Sequence, residues 1–163
     1  MPGKFTARFE SPIGSLEITA EEKGIVSIDF VEKSGLMRRR AEKAPQGPAV
    51  LTSCLAQLDE YFRGRRKSFS VPLSLEGTAF QKKVWAALRR IPYGKTATYG
   101  EIAAAAGNGR SGRAVGGANH RNPVSIIVPC HRVIGADGRL TGYGGGLWRK
   151  EWLLAHEKKH ARD

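Results

Sequence analysis

The sequence has little cysteine, two residues in 163, which excludes a disulfide scaffold or a cysteine-rich zinc module. No apolar run approaches membrane-spanning length, and Met1 to Phe9 has no apolar core of a secretory leader. Acidic side chains are scarce as well, 15 Asp and Glu against 27 Lys and Arg, for a formal charge of +12. Histidine is absent from the first hundred residues and occurs four times in all. What is present is globular: 40% hydrophobic and 26% charged residues exclude wholesale disorder. The expectation is a reduced, cytoplasmic, soluble protein without membrane contact, whose partner is anionic.

The charge is unevenly placed. Residues 1–75 carry 12 basic and 9 acidic side chains, whereas residues 76–163 carry 15 and 6. The second part therefore holds a net +9, as a polyanion-binding surface would; a charge serving only solubility is the alternative.

In the first part, Phe5-Ala7-Phe9, Leu16-Ile18-Ala20 and Val26-Ile28-Phe30 alternate as strands do, separated by Ser11-Pro12-Ile13-Gly14 and Glu22-Lys23-Gly24. A small antiparallel meander follows. Residues 32–48 read as an exposed connection with room for one helical turn. Leu51, Cys54, Leu55, Leu58 and Phe62 then recur at helical spacing, which makes Cys54 a packing residue. Phe69-Val71-Leu73-Leu75 reads as a last strand or an extended linker. The predicted organisation is α+β, with a structural domain over 1–71 and a functional domain over 72–163.

From Gly77 the character changes. Thr78 and Gln81 fit a capping box ahead of an apolar stripe at Phe80, Val84, Leu88 and Ile91. Thr98 and Glu101 form a second box before the alanine-rich helix Ile102–Ala106, stopped by Gly107. Ser111 can cap a third helix through about His120. Two short helices with a glycine-containing turn make a helix-turn-helix candidate. The third helix offers one long cation near its start, Arg113, and otherwise mostly Gly, Ala and Val. That is too few side chains for a major-groove reader, so Ala114 and Gly117 serve close backbone approach to DNA with little sequence preference. Tight packing inside the protein is the competing role for Gly116, Gly117 and Ala118.

The stretch Ser125-Ile126-Ile127-Val128-Pro129-Cys130-His131-Arg132 delivers a thiol and an imidazole from a buried run that reads as β-type. Only a few per cent of an ordinary thiol is ionised near pH 7, so a nucleophile here needs a base, a cation or a helix N-terminus. On an extended segment, Cys130 and His131 point to opposite faces, and a bridging water is the easier link. Cys130 as a core thiol competes with this reading. A metal site and a haem attachment are disfavoured, because the further Cys and His ligands are lacking.

Ile127-Val128-Pro129-Cys130-His131-Arg132-Val133-Ile134-Gly135, with Leu140-Thr141-Gly142-Tyr143-Gly144-Gly145-Gly146 and Lys150-Glu151-Trp152-Leu153-Leu154-Ala155-His156-Glu157, resembles the O6-alkylguanine-DNA alkyltransferases. The resemblance continues upstream through Ile91-Pro92-Tyr93-Gly94, Tyr99-Gly100-Glu101-Ile102-Ala103 and Arg113-Ala114-Val115-Gly116-Gly117-Ala118. It covers about residues 72–158, and the chain length resembles the stand-alone bacterial form.

The resemblance implies a ribonuclease H-like N-terminal part and a helical, DNA-binding C-terminal part. It implies a monomer that docks in the minor groove of double-stranded DNA containing O6-alkylguanine. The alkyl group is expected to pass irreversibly to Cys130, one per molecule, with no cofactor and no metal; O4-alkylthymine is a second candidate substrate. By the same resemblance, Glu157 orients His131, which acts through a water on Cys130, and Asn122 braces the adjoining turn. Arg113 replaces the flipped base in the stack, and Tyr99 turns the 3′ phosphate and serves guanine N3. The carbonyls of Cys130 and Val133, the Gly144 amide and the Tyr143 ring line the base pocket. Asn119 and Ser125 depart from some members, which carry an apolar residue and a proline there. A lesion-binding protein of the same architecture, without transfer activity, is the alternative; the presence of Cys130 opposes it. A helix-turn-helix transcriptional regulator is a third reading, opposed by the poor base-reading capacity of residues 111–120.

Overall fold

The alternation of the first thirty residues becomes a three-stranded antiparallel meander, β1 (Phe5–Ser11), β2 (Gly14–Glu21) and β3 (Gly24–Val31). The structure is a computed structural model that describes residues 3–31, 47–107 and 112–162. The expected connection over 32–48 therefore falls almost wholly outside the described residues. At the first hairpin the Ser11 hydroxyl donates to the Gly14 carbonyl at 2.7 Å and accepts from the Ile13 amide at 3.1 Å. This fixes the register that pairs Phe5 with Ala20 and Phe9 with Leu16. An irregularity between Thr19 and Ala20 shifts the β2–β3 register. Its consequence is that Ile25 and Ile28, rather than a strict Val26-Ile28-Phe30 set, face the core.

The helix α1 (Ala49–Phe62) packs on this sheet. Its buried stripe is Val50, Leu51, Cys54, Leu58 and Tyr61, so the core thiol lies where the periodicity puts it. Phe62 instead stacks on Phe9 at 5.8 Å, at the margin of the helix. The segment after α1 runs beside β3 as an extended stretch: Ile25 N donates to Pro72 O and Ser74 N donates to Ile25 O. The chain divides into two compact units, Met1–Leu75 and Glu76–Asp163.

The second unit contains α2 (Ala79–Arg89), β4 (Ala97–Thr98), α3 (Tyr99–Ala106), α4 (Gly112–His120), β5 (Val133–Ile134) and α5 (Leu147–His160). Both capping boxes form as the sequence predicts, Thr78 with Gln81 and Thr98 with Glu101. The Thr98 cap starts α3 at Tyr99, three residues before the expected helix start, and Gly107 ends it in the left-handed region at φ 78°. Residues 108–111, including the predicted Ser111 cap, lie outside the described residues.

The helices α2, α3 and α4 pack on one another. The indole of Trp85 on α2 is buried and donates to Ala118 O on α4 at 3.0 Å, which fixes α4 with a polar as well as an apolar contact. Gly112 matters at the α3–α4 approach, because a Cβ there would meet Tyr99 Cβ at 3.1 Å. β4 and β5 pair in parallel, Ala97 with Val133 and Thr98 with Ile134. That pairing ties the chain just before Tyr99 to the chain just after Cys130-His131-Arg132. No helix among the described residues is long and apolar enough to cross a membrane.

Candidate active site

The buried run before Cys130 is not a strand. Ile126–Val128 folds into tight turns, with one bridge between Ser125 and Val128. Ile127 N donates to Ser125 O at 2.8 Å across Ile126, whose φ of 75° is a region β-branched residues rarely adopt. Such a conformation costs on the order of 1–3 kcal/mol and persists only where surrounding contacts enforce it. Cys130 N then donates to Val128 O at 2.8 Å around Pro129, and Cys130–Arg132 forms one 3-10 turn. Apolar composition alone could not separate this buried knot from a strand.

Asn122 supplies much of the enforcement. Its Oδ1 accepts from Val124 N at 3.0 Å, and its Nδ2 donates to Val128 O at 2.8 Å and to Cys130 Sγ at 3.2 Å. One amide thus braces the turn and touches the sulfur. Burial pushes the Cys130 thiol up, while the Asn122 amide and the Lys150 ammonium oppose that by favouring the thiolate.

Behind the cysteine lies a buried charged group. His131 Nε2 and Glu157 Oε2 are 2.8 Å apart, and both side chains are fully buried. Arg132 donates to the same carboxylate twice, Nε to Oε1 at 2.8 Å and Nη2 to Oε2 at 3.0 Å; its Nη1 reaches Ile91 O at 2.6 Å. Burial disfavours the Glu157 anion, but His131 and Arg132 outweigh it and hold the carboxyl well below the usual carboxylate range. Burial also holds His131 below its usual value, so the ring is neutral near pH 7. Facing an ionised carboxylate, the ring donates from Nε2, which leaves the lone pair on Nδ1. That Nδ1 is buried and has no hydrogen-bond partner among the described residues.

The sulfur opens on a cavity of about 830 Å³. Tyr99, Arg113, Cys130, Tyr143 and Gly144, all singled out from the sequence, line it. Gly112, Gly116, Asn119 and His120 from α4, with Thr141 and Gly142 from the glycine-rich loop, complete the wall. The Tyr99 and Thr141 hydroxyls are 2.7 Å apart, linking the start of α3 to that loop. Asn122, His131, Val133 and Glu157 stand behind or beside the cavity rather than in its lining. Ala114 and Gly117 lie on α4, with Gly117 exposed and Arg113 exposed at the helix start.

Sequence reasoning gave no role to three residues that the site employs. Arg132 fixes Glu157, Thr141 meets Tyr99, and Lys150 is a fully buried lysine on α5. A signal for the last existed: Lys150 precedes Glu157 by seven residues, two helical turns, and so shares its buried face with Leu153.

A thiol held by an amide over an open cavity, backed by a neutral imidazole on an ionised carboxylate, defines a thiol-dependent group-transfer site. A family model described as the DNA binding domain of 6-O-methylguanine DNA methyltransferase matches residues 79–159, and its ribonuclease-like domain matches residues 5–75. The chain belongs to the 6-O-methylguanine DNA methyltransferase family. A methylated-DNA–protein-cysteine methyltransferase of Methanosarcina acetivorans is 50% identical over 153 residues, covering 94% of this chain and 97% of that protein. The crystal structure of the Mycobacterium tuberculosis O6-methylguanine methyltransferase has a TM-score of 0.83 and 43% identity, covering 97% of this chain and 94% of that one. A second M. tuberculosis structure, in complex with DNA, has a TM-score of 0.82 and 46% identity, covering 94% and 92%.

Proposed function

We propose that this protein repairs DNA by direct reversal, taking the alkyl group from O6-alkylguanine onto its own Cys130. The observation that carries this reading is the Asn122-braced sulfur facing the cavity, with His131, Glu157 and Arg132 buried behind it. His131 Nδ1 takes the thiol proton through a water, and Glu157 steadies the imidazolium that forms. The thiolate attacks the alkyl carbon; the sulfur–carbon bond forms as the carbon–O6 bond breaks. The proton ends on the restored guanine, and the thioether is stable, so each molecule acts once.

The partner is duplex DNA. A target atom inside the stack is out of reach, so the nucleotide leaves the helix at a cost of about a few kcal/mol. Arg113, exposed at the start of α4 and at the cavity wall, fills the gap. Tyr99 exchanges its Thr141 contact for the phosphate and guanine N3. Carbonyls of Cys130 and Val133 and the Gly144 amide hold the base against Tyr143. The surface of α3 and α4, a helix-turn-helix in this reading, docks in the minor groove with Ala114 and Gly117 close to the backbone. The net +9 of residues 76–163 gives salt-sensitive, sequence-blind search by a monomer. The transferase names of the relatives, together with Cys130 itself, favour transfer over lesion binding alone.

Mass spectrometry of the Cys130 peptide after mixing with duplex DNA carrying O6-methylguanine tests the reading. One methyl per molecule on Cys130 is expected. Repair in molar excess over protein, or an unmodified Cys130 with the lesion gone, would overturn it.

A further inference from the structure

Two buried charges sit two turns apart on α5, and only one has a role so far. Glu157 is matched by His131 and Arg132. Lys150, equally inaccessible to solvent, belongs to neither partner's network. A buried ammonium is costly unless its protons are bonded and an anion lies near. Lys150 Nζ donates to Thr141 O at 2.8 Å and to Gly142 O at 3.4 Å. Both carbonyls belong to the glycine-rich loop, and Thr141 and Gly142 line the same cavity as Cys130.

These bonds supply acceptors but no negative charge. Among the described residues no carboxylate forms an ion pair with Lys150. The charges around it are otherwise spoken for. Arg132 is paired with Glu157 by two hydrogen bonds, and His131 is neutral near pH 7. Burial keeps the phenol of Tyr143, which lines the same cavity, well above its ordinary value and so uncharged. Arg149, the neighbouring cation, bonds Gly145 O at 2.9 Å and stacks over Trp148. The ionised form that opposes desolvation of the Lys150 ammonium is the Cys130 thiolate, and the effect is mutual.

We propose that Lys150 is a positioning residue for alkyl transfer: its buried ammonium is the counter-charge of the Cys130 thiolate and fixes the glycine-rich loop through Thr141 and Gly142. This rests on Cys130 being the alkyl acceptor. The arrangement divides the work of activation between two sides of the site. His131 removes the proton, while Lys150 and the Asn122 amide stabilise the charge that removal leaves. It also gives a deeply buried thiol a partner for its ionised form, where burial alone would keep it protonated.

The test uses the whole protein and labels Cys130 with iodoacetamide, read by mass spectrometry of the Cys130 peptide across pH. In Lys150→Met the rise of labelling with pH is expected to move up by about one unit, with labelling at pH 7 about three- to tenfold slower. Lys150→Arg keeps the charge and is expected to keep the wild-type midpoint, although its bulk slows methyl transfer from DNA. If Lys150→Met does not fold, Lys150→Gln retains a donor for the two carbonyls without the charge and carries the same comparison. A neutral variant that folds with the wild-type midpoint overturns the assignment, as does an upward shift of equal size in Lys150→Arg. Methyl transfer measured in parallel separates the two levels of the argument: wild-type Cys130 left unmethylated defeats the transfer reading itself.

Discussion

Arg132 grips Glu157 with two hydrogen bonds, 2.8 and 3.0 Å long, in the buried interior behind Cys130. This pair keeps the carboxylate ionised, and ionised Glu157 sets the tautomer of His131. Replacing Arg132 with Met leaves a buried carboxylate facing only an imidazole. We expect a loss of about 3–5 kcal/mol in urea denaturation, the usual cost of breaking a buried ion pair from one side. Removing both charges in Arg132→Met with Glu157→Leu should recover much of the stability but not the transfer rate. A single variant within 1 kcal/mol of wild type, as an order of magnitude, would show the pair to be unimportant for the fold.

The same group makes stability depend on pH, and the signs of the shifts define the window. His131 lies below its ordinary value in the fold, so from about pH 6.5 downward the unfolded chain takes a proton that the folded chain refuses. Stability therefore falls as pH drops through that range, by up to about 1.4 kcal/mol per pH unit for one proton. Glu157 is also lowered, so its contribution is full above the unfolded carboxyl value of about 4.3 and is lost below it. Urea midpoints should decline from pH 7 to pH 5 and decline further below pH 4. His131→Gln should flatten the first interval and, because His131 also helps to hold the Glu157 carboxyl low, weaken the second.

The helices around the site were legible because their signals are local. Thr78 and Thr98 announce α2 and α3, and the period of three and four places Val84, Leu88 and Cys54 inward. The register change at Thr19 and Ala20 was not legible, since nothing in the side chains distinguishes the extra residue that turns Ile25 to the core. Nor was the knot at Ile126, where an apolar run without polar interruption hides a left-handed residue. Cys130 and His131 stood out by chemistry. The buried cations around them did not, because Arg132 and Lys150 resemble surface cations until the fold buries them.

Asn122 holds Val124 and Val128 while donating to the sulfur, so its substitutions should separate bracing from activation. Asn122→Ala removes all three bonds. It should cost about 1–3 kcal/mol through the buried Val128 carbonyl and Val124 amide, and slow transfer at least tenfold. Asn122→Asp keeps the acceptor for Val124 but places a carboxylate beside the thiol. It should melt above the Ala variant yet transfer more slowly, because a second negative charge disfavours the thiolate. Thermal melts and single-turnover methylation of the Cys130 peptide check the crossed ranking; the same order in both would remove the activating role.

The role proposed for Arg113 separates access to the lesion from chemistry on it. The residue lies exposed at the start of α4 and lines the cavity. Filling the space of an extruded base offsets an unstacking cost of about a few kcal/mol. A free O6-alkylguanine base needs no extrusion. Arg113→Ala should therefore slow repair of duplex DNA by about one hundredfold or more, with each tenfold equal to about 1.4 kcal/mol. Its reaction with the free base should change less than threefold, on the order of a surface substitution. Equal losses on the two substrates would place Arg113 in the chemical step and remove it from base flipping.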